Sequence, residues 1–371
     1  MAAAFAGAVS AQAGYAGLIF GAAFAGLVYV VIALVVKFAG VKWIDKLMPK
    51  QVIGPTVAII GLSLAGSAIG DLQVGKVMNA EGASAANPLI AVLCGLIALF
   101  VVMICSVYGK KTAKLIPFII GILAGYAAAT VFTLIGKATD NASLMLINFD
   151  AFKDMQLFIV PEFTFVTAIK GIKEIDGSYI ASIAMAYIPV AFVVFAEHIA
   201  DHKNISSIIE KDLLEDPGLH RTLLGDGIGS MVGAFFGGCP NTTYGESIAC
   251  VAITGNASVI TILVTAIICM AISFFNPFVV FLSSIPNCVM GGVCMALYGF
   301  IAVSGLKMVQ KVDLEDNRNL FVVSVILIAG IGGLALTFGK IQITSIATAL
   351  ILGIIANLIL GNKSKVNEKA E

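Results

Sequence analysis

The sequence predicts an all-α polytopic membrane protein whose two halves repeat in inverted orientation. Three observations carry that prediction. The 371 residues are 59% hydrophobic and only 12% charged, with a mean hydropathy of +1.02. A soluble domain carries about 25% charged residues. Apolar segments of near-spanning length fill most of the chain, and a short motif opening one of them recurs late in the sequence.

A helical crossing needs roughly 20 apolar residues. The candidates fall at about 15–37, 51–70, 88–108, 115–136, 179–200, 223–238, 256–275, 278–302, 319–337 and 341–361. Residues 1–13 are too short to cross. Between the sixth and seventh candidates, "GCPNTTYGESIACVAITGN" is too short and too polar to span alone. It predicts a broken element near 239–254, tolerated at membrane depth only when packed in protein or lining a cavity.

Charge alternates between the loops. Residues 37–50 carry four lysines, 71–87 only Lys76, and 110–114 three lysines; 203–221, 307–318 and the tail carry basic residues at several positions. Placing the basic loops and the C-terminus in the cytoplasm follows the positive-inside tendency. The segment 137–178 is then external, and "VTAIKGIKEI" within it predicts an interfacial helix. Zero formal net charge gives no basic face for nucleic acid. Seven cysteines lie in or beside apolar segments without a C-x-x-C pair, which points to small apolar filler rather than disulfides or a thiolate metal site.

The recurring motif is P-x-x-V-(I/M)-G, in "MPKQVIGPTVAIIG" (48–61) and "IPNCVMGGVCMALYG" (285–299). Each copy enters a span, and two further spans follow each. The copies are an odd number of crossings apart, so the halves are expected to be inverted, a signature of secondary transporters. The same comparison predicts that about three elements are missing ahead of residue 1, making this an N-terminally truncated chain.

Between 222 and 306 there is no Lys or Arg, and the acids are Asp226 and Glu246. Asp226 lies near the start of its span and reads as interfacial. Glu246 sits in the broken element, and Glu197 is the charged residue of the crossing 179–200. A carboxylate at the bilayer centre costs about 2.5–3.5 kcal/mol on insertion scales, so it faces a cavity or a partner. Pro240 disfavours helix at Cys239, while Gly237, Gly238 and Gly245 allow close backbone approach. Free amides there would donate to a ligand while Glu246 accepts from it. That pairing suits a small planar molecule with N–H and C=O edges, with Tyr244 offering a stacking face or a hydroxyl. The blander alternative is that Asn241, Thr242 and Thr243 cap the helix that follows. "HIADH" (198–202) has the H-x-x-acid-H shape of some zinc enzymes, but Asp stands for the usual Glu and only His220 remains as a third imidazole. No metal site is expected.

"FAEHIADH", "KDLLEDPGLHR", "GGCPNTTYGESIACVAITG" and "IPNCVMGG" together resemble the bacterial uracil permeases of the nucleobase–ascorbate transporter family. The resemblance implies an inverted 7+7 transmembrane fold with a core and a gate domain, here lacking about the first three elements. The core would comprise 1–40 and 179–275, the gate 41–137 and 278–361, and 362–371 a cytoplasmic tail. It implies proton-coupled symport of a nucleobase, uracil first, across the plasma membrane, with xanthine or urate as the alternative cargo and Na+ as the alternative coupling ion. An inactive fragment and a membrane-embedded metalloenzyme are the readings from other classes. The resemblance further implies that Glu197, Gly245 and Glu246 bind the base beside Tyr244, that Glu197, His198 and Asp201 handle the proton, and that no cofactor is used. It leaves room for a homodimer through the gate. Two positions depart from the family signature: Ser247 stands where Asn is usual and Ala249 where Gly is.

Overall fold

The computed structural model describes residues 2–5, 8–79, 82–110, 112–153, 155–161, 163–244, 247–248, 251, 255–338 and 341–361. Its helices in chain order are α1 (Ala2–Phe5), α2 (Ala11–Ala39), α3 (Lys42–Leu47), α4 (Lys50–Ser63), α5 (Ala65–Leu72), α6 (Pro88–Tyr108), α7 (Thr112–Leu115) and α8 (Pro117–Ala138). Then come α9 (Thr164–Gly171), α10 (Gly177–Ile209), α11 (Leu219–Phe235), α12 (Val259–Ile272), α13 (Asn276–Ser284) and α14 (Asn287–Val309). The last are α15 (Asn317–Ile331) and α16 (Ser345–Gly361), separated by the antiparallel strands β1 (Leu336–Phe338) and β2 (Ile341–Ile343).

Among the described residues, six segments are long and apolar enough to cross a bilayer: 11–39, 50–72, 88–108, 117–138, 177–203 and 287–309. Shorter apolar helices occupy 259–272, 317–331 and 345–361. Large apolar side chains on these helices are widely exposed, Val259 and Ile260 among them, which is the surface a lipid solvent requires. The chain is a multi-pass membrane protein.

Three expected boundaries move. The span expected over 278–302 is interrupted, because Pro286 supplies no amide and Ile285 takes an extended conformation; α13 ends there and the long helix starts at Asn287. The spans expected over 319–337 and 341–361 end early and begin late. Their facing ends alternate as Leu-Thr-Phe and Ile-Gln-Ile, a two-residue period that forms the β1–β2 pair. The segment "VTAIKGIKEI" is helical as expected, over α9 and a 3-10 turn at Ile172–Glu174.

The chain forms two compact units. The first is 1–60, 162–248 and 301–371; the second is 61–161 and 249–300. In the first, α2 packs on α9, α10 and α11 through small residues. A methyl group at Gly26 would lie 2.6 Å from the Gly227 carbonyl oxygen and 2.7 Å from Met231 Cγ. Close approach of this kind is how membrane helices gain packing without a hydrophobic drive between them. The core of this unit runs from Tyr29 and Val36 through Phe195 and Ile199 to Ile326 and Leu350.

In the second unit α6 and α8 pack at Gly121 and Gly125, whose added methyls would meet Ala98. Buried Thr133 pins the loop after α8: its Oγ1 donates to the Ala129 carbonyl at 2.7 Å and accepts the amides of Leu146 and Ile147, each at 3.1 Å.

Candidate functional site

The site belongs to the first unit and is built by α2, α10, α11 and the chain after α11. Helix α10 starts on Asp176, whose carboxylate accepts the Tyr179 amide at 2.7 Å. Tyr187, Val190, Ala191 and Val194 fall on one stripe at helical spacing, and His198 and Asp201 continue it with Glu197 at its edge. After Phe235 the chain leaves the helix. Gly237 adopts φ +115°, a conformation only glycine takes cheaply, and residues 238–244 have no regular structure. That matches the broken element the sequence predicts, as far as residue 244.

Side-chain bonds hold this extended stretch at two points, Asn241 and Thr243. Ser230 on α11 accepts the Asn241 amide at 3.1 Å, and its hydroxyl lies 2.6 Å from Asn241 Oδ1. Thr243 Oγ1 donates to Asp201 Oδ2 at 2.6 Å. Asn241 and Thr243 therefore tie the segment to α11 and α10. Tyr244 follows, 60% exposed. Gly245 and Glu246 lie outside the described residues.

Beneath Glu197, which is half-buried, sits a denser polar cluster. His198 is buried, with Nδ1 3.1 Å from Asp226 Oδ2 and Nε2 3.2 Å from Thr222 Oγ1. The Thr222 hydroxyl already donates to the Leu219 carbonyl at 3.0 Å, so it accepts from Nε2. A carboxylate only accepts, so Nδ1 donates to an ionised Asp226. Both bonds keep the Thr222–Leu219 bond as well only with an N–H at each ring nitrogen; with one N–H, at Nδ1, the Thr222 hydroxyl must turn from Leu219 to donate to Nε2. His202 stacks on His198, ring centroids 4.4 Å apart at 16°, and its Nδ1–H donates to the His198 carbonyl at 3.0 Å. Tyr29 meets His198 edge-on at 5.9 Å.

A cavity of about 220 Å³ lies against this cluster. Its walls are Ala25, Gly26 and Tyr29 from α2, the α10 stripe from Tyr187 to Val194, Gly227 and Ser230 from α11, and the backbone from Cys239 to Thr242. Among the described residues no three His, Cys, Asp or Glu side chains converge on a metal position; both nitrogens of His198 and one of His202 are spent on protein partners.

Outside the helices, the Lys211 ammonium 2.8 Å from Asp216 holds that carboxyl below the usual carboxylate range. The sequence singled out Glu197, His198 and Asp201, and the structure sets them on α10, beyond the part of that helix that lines the cavity. Asp226 is corrected from interfacial to partner of a buried histidine; its position one residue from Gly227 at the α2 crossing was the available hint. Nothing in the sequence marked Tyr29, Thr222 or Ser230.

A multi-pass helical protein with a small polar-edged cavity enclosed by its helices, one of them broken, has the build of a membrane transporter. The transmembrane domain of a cyanobacterium bicarbonate transporter, BicA, shares the fold, with a TM-score of 0.58 at 15% identity over 96% of this chain and 80% of that one. The sequence profile of the Permease family, the xanthine/uracil permeases, matches residues 1–339. The uracil permease of Bacillus caldolyticus is 38% identical over 94% of this chain and 76% of its own length. That of Bacillus subtilis (strain 168) is 36% identical over 95% and 77%, and that of Escherichia coli (strain K12) 34% over 90% and 72%. The chain belongs to the xanthine/uracil permease family and is a transporter, not an enzyme.

Proposed function

We propose that the chain carries a nucleobase, uracil first, into the cell across the plasma membrane by proton symport, with its C-terminus cytoplasmic. The observation that carries the reading is the cavity lined on α10 from Tyr187 to Val194, one turn before Glu197, His198 and Asp201 on the same helix; the names of the relatives supply the substrate class. Glu197 accepts an N–H of the base, the Gly245 amide and Glu246 complete the edge, and Tyr244 flanks it. The proton resides on the His198–Asp226 pair. Protonated, that pair satisfies every bond around it and carries no net charge, so taking up the proton removes one buried negative charge from the core. Deprotonated, it leaves a buried carboxylate facing an imidazole that cannot donate to both of its neighbours, at a cost of about 1–3 kcal/mol for the unmade bond.

The motion follows from the inverted-repeat reading, in which a core of 1–40 and 179–275 rocks against a gate of 41–137 and 278–361. One proton moving down ~100 mV releases about 2.3 kcal/mol, which supports roughly fifty-fold accumulation.

Uptake of labelled uracil into proteoliposomes under an imposed pH step tests this. Glu197→Ala abolishes uptake and Glu197→Gln impairs it severely. Wild-type uptake by either variant refutes the assignment of Glu197. Accumulation under a Na+ gradient alone refutes proton coupling, and competition by xanthine rather than uracil moves the cargo to the purines.

A further inference from the structure

Among the described residues, three hydroxyls at the cavity have no hydrogen-bond partner: Tyr29 Oη, Tyr187 Oη and Thr242 Oγ1. The other side-chain polar groups on its wall are spent, Ser230 and Asn241 on one another. Tyr29 is 5% exposed, so water outside the protein does not reach its hydroxyl. Tyr29 and Thr242 are near neighbours, close enough for their hydroxyls to interact, and neither makes a hydrogen bond of ordinary geometry. Buried hydroxyls are normally paired, and unpaired ones clustered on one cavity mark a place that a polar guest fills. The remaining wall is glycine, alanine and valine with Cys239 and Pro240, which offers apolar faces and no charged side chain.

Tyr29 and Thr242 lie at the Glu197 end of the cavity. The Tyr29 ring touches His198, the next residue after Glu197, and Thr242 sits between the two anchors of the extended segment, Asn241 and Thr243. Tyr187 is ten residues before Glu197, about 15 Å along the helix axis, too far for one small ring to span. The near pair sets two O–H donors on the cavity wall, and the carboxylate acceptor of the nucleobase reading, Glu197, lies one turn beyond Val194 on α10. An N–H flanked by a ring carbonyl, the edge of a cyclic imide or lactam, complements that set: its N–H goes to the carboxylate and its oxygen to the hydroxyls. An exocyclic amino group would instead force each hydroxyl to accept and leave its own hydrogen seeking another acceptor.

We propose that Tyr29 and Thr242 are specificity-determining residues that read an exocyclic oxygen of the base and select oxo-pyrimidines over their amino counterparts. This rests on the nucleobase reading above. The test is equilibrium binding of uracil, cytosine, 2-thiouracil and 4-thiouracil to the purified chain and its Tyr29→Phe and Thr242→Val variants, with the Tm of each ligand-free protein. Phenylalanine keeps the ring packing and removes a hydroxyl that bonds to nothing, so the ligand-free Tm does not fall while uracil binds at least tenfold more weakly. One of the two thio analogues, whose sulfur accepts poorly, loses the difference between wild type and Tyr29→Phe. Unchanged uracil affinity in both variants overturns the proposal, as does a weakening that neither thio analogue removes, or a loss of ligand-free Tm in both. A wild-type chain that binds no nucleobase overturns the carrier reading itself, and this assignment with it.

Discussion

Replacing Asp226 separates its structural role from its coupling role. Its side chain is 11% exposed and that of His198 1%, so solvent cannot stand in for either. Alanine leaves the imidazole without its partner, and breaking a buried pair in this way costs about 3–5 kcal/mol. At roughly 2–4 °C per kcal/mol, an upper range for a chain this long, Tm falls by about 10 °C. Asparagine behaves differently. Its amide donates to an unprotonated Nδ1 while Nε2–H still reaches Thr222, so a neutral His198 satisfies every bond. Stability then changes by no more than about 1 kcal/mol, the scale of a neutral hydrogen bond. The need for a proton is gone, so uracil counterflow continues in proteoliposomes while accumulation under a pH step disappears. Thermal unfolding in detergent and paired counterflow and accumulation assays read the two effects. Asp226→Asn with wild-type pH-driven accumulation, or Asp226→Ala with wild-type Tm, refutes the assignment of the proton to this pair.

Two further outcomes concern the scaffold. Ser230→Ala removes the anchor of the extended segment and leaves the Asn241 amide unpaired, costing about 1–3 kcal/mol; faster proteolysis or hydrogen exchange over 238–244 reads it, and unchanged protection counts against the anchor. Gly26→Val drives a side chain into the α11 backbone and costs at least the 1–3 kcal/mol of overpacking, whereas Gly225→Ala meets nothing within 4 Å and holds or raises Tm; equal Tm changes in the two variants count against the α2–α11 crossing.

The helices were legible because lipid demands long apolar runs, and a run such as 88–108 has no other use. What stayed hidden depends on contacts between distant segments. Asp226 read as interfacial because it stands only seven residues into α11, yet α10 brings His198 against it. Tyr29 read as one more aromatic in an apolar span; only the cavity wall shows that its hydroxyl is unspent. The β1–β2 pair was concealed because three-residue strands flanked by apolar helices look like their continuation. Glu197 was legible for the opposite reason: a carboxylate in a crossing has few structural uses.

The repeated motif shows how a short match gains weight from structure. In each copy the proline stands one residue before a helix, α4 or α14, and its carbonyl accepts amides three and four residues on: Val52 and Ile53 in one, Val289 and Met290 in the other. The motif glycine then meets a neighbouring backbone. In the first unit a methyl at Gly54 would lie 3.0 Å from the Val309 nitrogen and 3.2 Å from the Gly305 oxygen. In the second, a methyl at Gly291 would lie 2.6 Å from the Leu72 nitrogen and 2.7 Å from the Ala68 oxygen. The two glycines are 237 residues apart, and the same interval separates Ala68 from Gly305 and Leu72 from Val309. Each glycine thus meets the counterpart of what the other meets, the reciprocity that a two-fold relation between equivalent segments requires. A coincidence confined to six letters of sequence gives no reason for it, because the partner residues lie outside the motif. That reciprocity makes the two segments copies of one local arrangement, each built within its own unit.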